Sequence, residues 1–284
     1  MTPSMTRAPN FFSSARLLAF GLTLVLSACA RAPEPRLFPD PPSDITARTD
    51  ALLPADVILL GEQHDAAEHQ HIHQQVVTHL AVRGELGALA LEMADAGRST
   101  ASLKSNSTQL QVQEALGWND KGWPWAAYGP AIMVAVKAGV PVLGANLPGA
   151  RMRDAMADAQ FDRQLPGPAL KAQQQLIREG HCGMLPEPRI TPMTRVQVAR
   201  DISMAQTVEQ AALPGKVVVL LAGSGHENRL LGVPQHLPKE SKTKAVLLRA
   251  GPADAQTAEA GAFDAVWTTP PLPPKDYCAA FIKK

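Results

Sequence analysis

The sequence has no excess of charge of either sign, and several familiar motifs are missing from it. Its 27 Lys and Arg residues against 26 Asp and Glu residues leave a formal net charge of +1, whereas a nucleic-acid surface needs a basic domain or stripe. No P-loop, dinucleotide fingerprint or Gly-x-Ser-x-Gly nucleophile elbow is present. The sequence therefore gives no support to a nucleic-acid partner, a nucleotide enzyme or a serine hydrolase.

Long hydrophobic runs are missing as well, apart from one near the N-terminus. The run from Leu17 to Leu26 follows Arg7 and Arg16 and is too short to cross a bilayer, which is typical of a secretory signal peptide. Residues 1–28 are therefore predicted to be a signal peptide. The next residues, Leu26-Ser-Ala-Cys29, resemble a bacterial lipobox, in which Cys29 is lipidated. An ordinary cleaved signal peptide with a chance cysteine is the alternative.

The segment after this signal predicts a tethered envelope protein. Ala30, rather than aspartate, follows Cys29, which favours the outer over the inner membrane. Residues 29–50 are rich in Pro, Arg and Asp and lack periodicity, so an extended tether is expected. One domain is predicted over residues 51–270, with a C-terminal tail at 271–284.

Cysteine is scarce, with three in 284 residues. If Cys29 carries lipid, Cys182 and Cys278 remain in an oxidising compartment, where a disulfide is the favoured interpretation. A thiolate ligand for metal or haem is the alternative, although only His181 lies beside either cysteine.

Six short apolar runs dominate the rest of the chain, with helical patterns between them. Such continuous runs are typical of strands covered on both faces. Their alternation with helices predicts an α/β fold with a mostly parallel central sheet flanked by helices. Residues from about 150 to 213 contain no strand pattern, so a smaller helical insertion is expected there. The predicted strands span residues 56–62, 87–93, 140–148, 216–223, 244–250 and 263–269.

Polar residues follow four of these strands. In parallel sheets the carboxyl ends of the strands meet at one edge, where ligands bind. Glu62, His64, Glu92, Asn146 and His226 are therefore expected to converge. His64, Glu92 and His226 are residue types that bind a divalent metal, with Glu62, Asp65 or Asn146 as further partners. Metal-free acid/base chemistry by Glu62 and His64 is the alternative.

Two clusters lie near these strand ends. Three of the four tryptophans fall between Trp118 and Trp125, where they either pack a loop onto the domain or form one wall of a flat apolar pocket. The histidines from His69 to His79 contain no His-Glu-x-x-His signature and are interpreted as a solvated helix face.

The ordered set of motifs resembles the ChaN-like, iron-regulated haem-binding lipoproteins over about residues 55–250. The motifs are Val57-Ile-Leu-Leu-Gly-Glu-Gln-His-Asp65, Leu91-Glu-Met93, Val140-Pro-Val-Leu-Gly-Ala-Asn146, Arg200-Asp-Ile-Ser-Met-Ala205 and Ala222-Gly-Ser-Gly-His226. The resemblance implies haem binding for iron acquisition, a homodimer that shares the cofactor, and an outer-membrane haem receptor as partner. It does not name the iron ligand. Tyr128 and His181 are the candidates because phenolate and imidazole are common axial ligands, and Trp125 is expected to line the pocket.

The wider superfamily resembles the Tiki proteases and erythromycin esterases. That resemblance implies the alternative function, a metal-dependent hydrolase with Glu62, His64, Glu92 and His226 as its catalytic residues. An envelope scaffold with an inherited, silent site is the third hypothesis.

Overall fold

The computed structural model of the chain describes residues 43–252 and 261–279. The predicted signal peptide, the lipidation site at Cys29 and most of the tether lie outside these residues. The end of the predicted tether, however, forms helix α1 (Ser43–Asp50). Ile45 and Thr49 of this helix are buried, so the folded domain includes residues that the composition assigned to an extended segment.

A six-stranded parallel sheet organises the fold, as the sequence predicted. The strand order is β3-β2-β4-β1-β5-β6, so the chain moves outward from β1 to β3, returns to β4 beside β1, and then continues on the other side. Ligands bind at such reversal points in open α/β sheets. The strands are β1 (Val57–Glu62), β2 (Leu86–Asp95), β3 (Val142–Asn146), β4 (Val217–Gly223), β5 (Thr243–Ala250) and β6 (Ala265–Thr269).

The sheet separates two layers of core because successive strand side chains point to opposite faces. On one face, Ile58 and Leu60 of β1 belong to a cluster that includes residues of α1, α2, α3 and α4. On the other face, Val57 and Leu59 pack in a second cluster with the longest helix, α7. The helices are α2 (Ala67–Val82), α3 (Gln109–Leu116), α4 (Trp125–Lys137), α5 (Met152–Ala157), α6 (Gly167–Gly180), α7 (Glu187–Ala211) and α8 (Ser224–Glu227).

Two predicted segments differ from the structure. The sequence pattern over residues 94–125 predicts a mainly helical segment, but β2 extends to Asp95, and the eight-residue α3 is the one complete helix that the structure describes there. The glycines and prolines of residues 180–192 predict a loop, yet α7 already begins at Glu187 and contains Pro192. The helical insertion was predicted correctly, with α5, α6 and most of α7 between β3 and β4.

The predicted disulfide between Cys182 and Cys278 is present. It joins the turn after α6 to the segment after β6. Among the residues that the structure describes, no helix is long and apolar enough to span a membrane.

Candidate functional site

The strand-end residues predicted from the sequence do meet at the carboxyl edge of the sheet. His64 lies between two carboxylates, with Nδ1 2.7 Å from Glu62 Oε1 and Nε2 3.8 Å from Glu92 Oε2. His226 Nε2 is 3.4 Å from the other oxygen of Glu92, Oε1. Their strands, β1, β2 and β4, are neighbours in the sheet, which explains how residues distant in sequence come together.

Glu62 faces the layer formed by α2 and α4, and it is 1% exposed. Tyr128 OH donates to its Oε1 over 2.6 Å, and Gln70 Nε2 donates to its Oε2 over 2.6 Å. Burial opposes the charged carboxylate, but the hydrogen bond to His64 and the other partners together hold the pKa of Glu62 below its usual range. Glu62 is thus a buried carboxylate, and each of its two oxygens accepts a hydrogen bond.

Glu92 faces the opposite layer, towards α7. Gly223 N donates to Glu92 Oε2 over 2.7 Å, and His226 Nδ1 is 2.5 Å from Asp201 Oδ1 on α7. Burial opposes the charge of His226, but Glu92 and Asp201 raise its pKa to about 10. Burial likewise opposes the charge of Glu92, but His226 lowers its pKa to about 2. His226 is therefore an imidazolium at neutral pH, paired with carboxylates on both sides.

The predicted divalent-metal site at His64, Glu92 and His226 is not supported. Within residues 43–252 and 261–279, no three His, Cys, Asp or Glu side chains are arranged to hold a metal ion. The physical reason lies in the pairing, because both ring nitrogens of His226 already face carboxylates, Nδ1 towards Asp201 and Nε2 towards Glu92. Asn146 Nδ2 binds the backbone carbonyl of Glu92 at 2.9 Å rather than pointing at a shared centre.

The histidines of α2 do not form a solvated face, with the exception of the exposed His71. His69 and His73 are 0% and 1% exposed. His69 Nδ1 accepts a hydrogen bond from Gln63 N at 2.9 Å, which fixes the turn that carries His64. His73 Nδ1 lies 3.7 Å from Glu62 Oε2. His69 therefore helps to position the turn after β1, and His73 lies against Glu62.

The candidate haem residues are found in three different environments. Tyr128 is 2% exposed, and burial together with Glu62 raises its pKa far above the usual range, so this arrangement does not favour a phenolate there. Trp125 is half-buried, with Nε1 donating to Gln109 Oε1 over 3.0 Å. His181 lies in the turn after α6, with Nδ1 2.7 Å from the carbonyl of Ile177.

Three of the four tryptophans form an aromatic cluster beside His64. The Trp118 ring lies 5.2 Å from that of Trp125, and the Trp123 ring lies 4.8 Å from the His64 imidazole, both in edge contacts. Trp123 and Tyr128 are also 5.9 Å apart. The cluster therefore packs a loop onto the domain and supports one side of His64.

A cleft of about 590 Å³ opens over the strand ends, and the sequence did not predict all of its walls. Besides the strand-end residues, Lys275 and Tyr277 from the C-terminal segment line it. Tyr277 is 50% exposed. The one sequence signal for this segment was Cys278, whose predicted disulfide partner lies on the central turn. The cleft is lined by Glu62, Gln63, His64, Asp65, Glu92, Gln197, Gly223, Ser224, Gly225, His226, Lys275 and Tyr277.

A larger cavity of about 850 Å³ lies beside the helical insertion. Its lining includes Arg151, Phe161 and His236, but none of the residues that the sequence singled out for the site. The strand-end cleft is therefore the place where cavity, charge network and predicted residues coincide.

Three solved structures resemble this chain, and one of them does so with a TM-score above 0.5. ChaN of Campylobacter jejuni, from a structure described as showing cofacial haem binding, is 26% identical with a TM-score of 0.63, and the match covers 73% of this chain and 87% of that one. The type III effector HopBA1 is 13% identical with a TM-score of 0.43, covering 82% and 96%. An erythromycin esterase mutant, EreC, in its open conformation is 16% identical with a TM-score of 0.42, covering 76% of each chain. The last two values are too low to argue for a shared reaction.

Comparison with protein families gives a match that spans most of the domain. None of the curated proteins compared with the chain matches it. Residues 49–237, however, match the family described as haem-binding uptake, Tiki superfamily, ChaN. This match covers well over half of the sequence and contains Glu62, Glu92 and His226. The chain therefore belongs to the ChaN family of haem-binding uptake proteins.

Proposed function

We propose that this protein binds haem in the strand-end cleft as part of iron acquisition or haem handling. Family membership supports haem binding, and the observation that carries the location is the pairing of Tyr277 and Lys275 at the mouth of the cleft. Tyr277 offers an oxygen donor for the haem iron, and Lys275 offers a cation for a propionate. The cleft volume of about 590 Å³ falls in the range of ligand pockets.

Tyr277 is the better placed of the two tyrosines to bind iron. Its hydroxyl donates to Asp65 Oδ2 over 3.0 Å, so a carboxylate is in position to accept the phenolic proton when oxygen becomes a ligand. Lys275 Nζ, 2.6 Å from the same carboxylate, is 57% exposed and supplies a cation for a propionate. Tyr128 and His181 remain the alternatives that the sequence suggested.

Haemin titration of the full chain in detergent tests this function, with a micelle blank to correct for haemin in detergent. We expect a saturable Soret shift in the wild type. Tyr277→Phe should alter the spectrum and weaken binding by at least about tenfold, whereas Tyr128→Phe and His181→Ala should leave both unchanged. Lys275→Met should weaken binding more than Lys171→Met, an exposed lysine on α6. The absence of saturable binding in the wild type would overturn the proposal.

The hydrolase alternative gains no support from the comparisons with solved structures. The structural likeness to an erythromycin esterase is too low to carry the argument.

We also propose that lipid on Cys29 attaches the protein to the outer membrane. The Leu26-Ser-Ala-Cys29 motif and the absence of aspartate at position 30 support this location. A haem-linked homodimer and an outer-membrane haem receptor are proposed from the family alone. Sedimentation with and without haemin tests the first, and crosslinking in intact cells tests the second.

A further inference from the structure

The C-terminal strap, defined as residues 270–278, lies over one side of the cleft without forming a strand. It follows β6 and has no regular secondary structure before the turn at its end. Its polar side chains contact the segment just after β1. Lys275 Nζ is 2.6 Å from Asp65 Oδ2, Tyr277 OH donates to the same oxygen over 3.0 Å, and Gln63 Nε2 donates to Tyr277 OH over 2.9 Å.

These polar contacts are too exposed to hold the strap by themselves. Lys275 and Asp65 are 57% and 33% exposed, and solvent-exposed ion pairs contribute little because water and salt screen them. Ordering a chain segment of this length costs far more conformational entropy than such contacts return. Another constraint must therefore keep the strap in place.

The disulfide supplies that constraint. Cys278 follows Tyr277 directly and is bonded to Cys182, which is 96 residues away in the sequence. Cys182 itself adopts a φ of 56°, a left-handed conformation that few residues other than glycine adopt, so the surrounding structure fixes this turn. The strap is consequently attached at both ends, by β6 and by the disulfide, with Lys275 and Tyr277 close to the second attachment.

We propose that the Cys182–Cys278 disulfide is a positioning element of the binding cleft, which holds Tyr277 and Lys275 at its mouth. The strap lies outside residues 49–237, where the family match ends, so this chain completes its site with a segment that the family match does not cover. The inference rests on the proposed haem function. Cys182 and Cys278 do not touch the ligand, and their effect is exerted through Tyr277 and Lys275.

A double-mutant cycle separates positioning from general stabilisation. The full chain in detergent, Tyr277→Phe, Cys182→Ser with Cys278→Ser, and the three changes combined are titrated with haemin. Substitution is used because chemical reductants would also reduce the haem iron. We expect Tyr277→Phe to weaken binding at least tenfold when the disulfide is present and less than twofold when it is absent.

Each result supports or overturns a separate statement. If Tyr277→Phe has the same effect with and without the disulfide, the positioning role is wrong and haem binding stands. If the wild type does not bind haemin, the proposed function fails and the positioning role fails with it. Circular dichroism and thermal melting show whether the cysteine-free chain folds.

Should that chain not fold, the disulfide is opened in the folded chain instead. The wild type and Tyr277→Phe are reduced, alkylated at Cys182 and Cys278, freed of reductant and then titrated with haemin, with untreated samples of both as controls. Tyr277→Phe should again weaken binding less than twofold once the disulfide is open. An effect of at least tenfold in the alkylated samples would overturn the positioning role.

Discussion

At the scale of single residues, Glu62 and Glu227 show that partners as well as burial set the ionisation of a carboxyl group. Both are almost completely inaccessible, at 1% and 0% exposure. Glu62 accepts hydrogen bonds from Tyr128 and Gln70 and is charged, whereas neither oxygen of Glu227 has a hydrogen-bond partner. Burial raises the pKa of Glu227 well above its usual range. Glu227 therefore keeps its proton to a higher pH than an exposed carboxyl group does, and its side chain packs against Gly61 of β1.

The first prediction concerns the pH dependence that Glu227 adds. Because its folded-state pKa is raised, the folded chain binds more protons than the unfolded chain above about pH 4.5, so stability falls as the pH rises. Glu227→Gln replaces the carboxyl group with an amide that does not titrate, so this pH dependence disappears. The variant should gain stability relative to the wild type between pH 5 and pH 8, by as much as about 1.4 kcal/mol per pH unit.

Urea unfolding at several pH values measures this effect. Glu68→Gln, at an exposed position on α2, is the control and should show no change in slope. An equal difference between Glu227→Gln and wild type at pH 5 and pH 8 would mean that Glu227 is ionised in the folded protein.

The second prediction compares the two tyrosines in the sequence. Tyr128→Phe removes a buried hydrogen bond to a charged carboxylate, which should lower the free energy of unfolding by about 1.5–3 kcal/mol. Tyr277→Phe alters a half-exposed hydroxyl and should change it by less than about 0.5 kcal/mol. The haemin spectrum should respond in the opposite order, with a changed Soret band in Tyr277→Phe and an unchanged one in Tyr128→Phe. Chemical denaturation and the Soret spectrum of both variants give the two measurements, and a spectral change in Tyr128→Phe alone would make Tyr128 the iron ligand.

At the scale of secondary-structure elements, the sequence predicted what depends on local pattern. All six residues of β1 and all seven of β4 are buried, so parallel strands appear as continuous apolar runs. Helix α7 begins at Glu187, earlier than the helical pattern from Thr194 predicts. Pro188 lies in its first turn, where proline is tolerated, whereas Pro192 lies further inside the helix. Helix α1 was missed because its composition matches that of a linker.

The same reasoning explains which site residues were predictable. Glu62, His64, Glu92 and His226 lie at strand ends, so topology alone brings them together. Asp201 and Gln70 come from helices, and Tyr277 comes from the tail. Nothing in the spacing of these three residues indicates which strand end they reach. Their positions depend on how α2, α7 and the strap pack, which is a tertiary property.

The third prediction concerns the close approach of β2 and β3. A Cβ atom added at Gly144 would lie 2.1 Å from the carbonyl oxygen of Asp95, so the two strands could not keep their positions. Gly144→Ala should lower the free energy of unfolding by about 1–3 kcal/mol or more. Gly149→Ala is the matched control because nothing lies within 4 Å of its added Cβ. Urea denaturation measures both, and equal stabilities would show that the strands separate at little cost.

At the scale of the whole molecule, the proposed lipid on Cys29 would limit the distance between the folded domain and the membrane. Helix α1 begins at Ser43, and the chain between Cys29 and Ser43 can span at most about 50 Å when fully extended. A lipid on Cys29 would therefore keep the domain within that distance of the membrane surface. Haem captured there would remain close to any envelope component that delivers or accepts it.

The last prediction tests the proposed lipid anchor. In bacterial cells supplied with a labelled fatty acid, the wild-type chain should carry the label and fractionate with membranes. Cys29→Ser should carry no label, because the thiol that receives the lipid is missing. The chain with both Cys182→Ser and Cys278→Ser should keep the label, since these cysteines pair with each other. Label that persists in Cys29→Ser would place the lipid elsewhere, and an unlabelled wild type would mean that residues 1–28 are an ordinary signal peptide and that the domain is not held at the membrane by lipid.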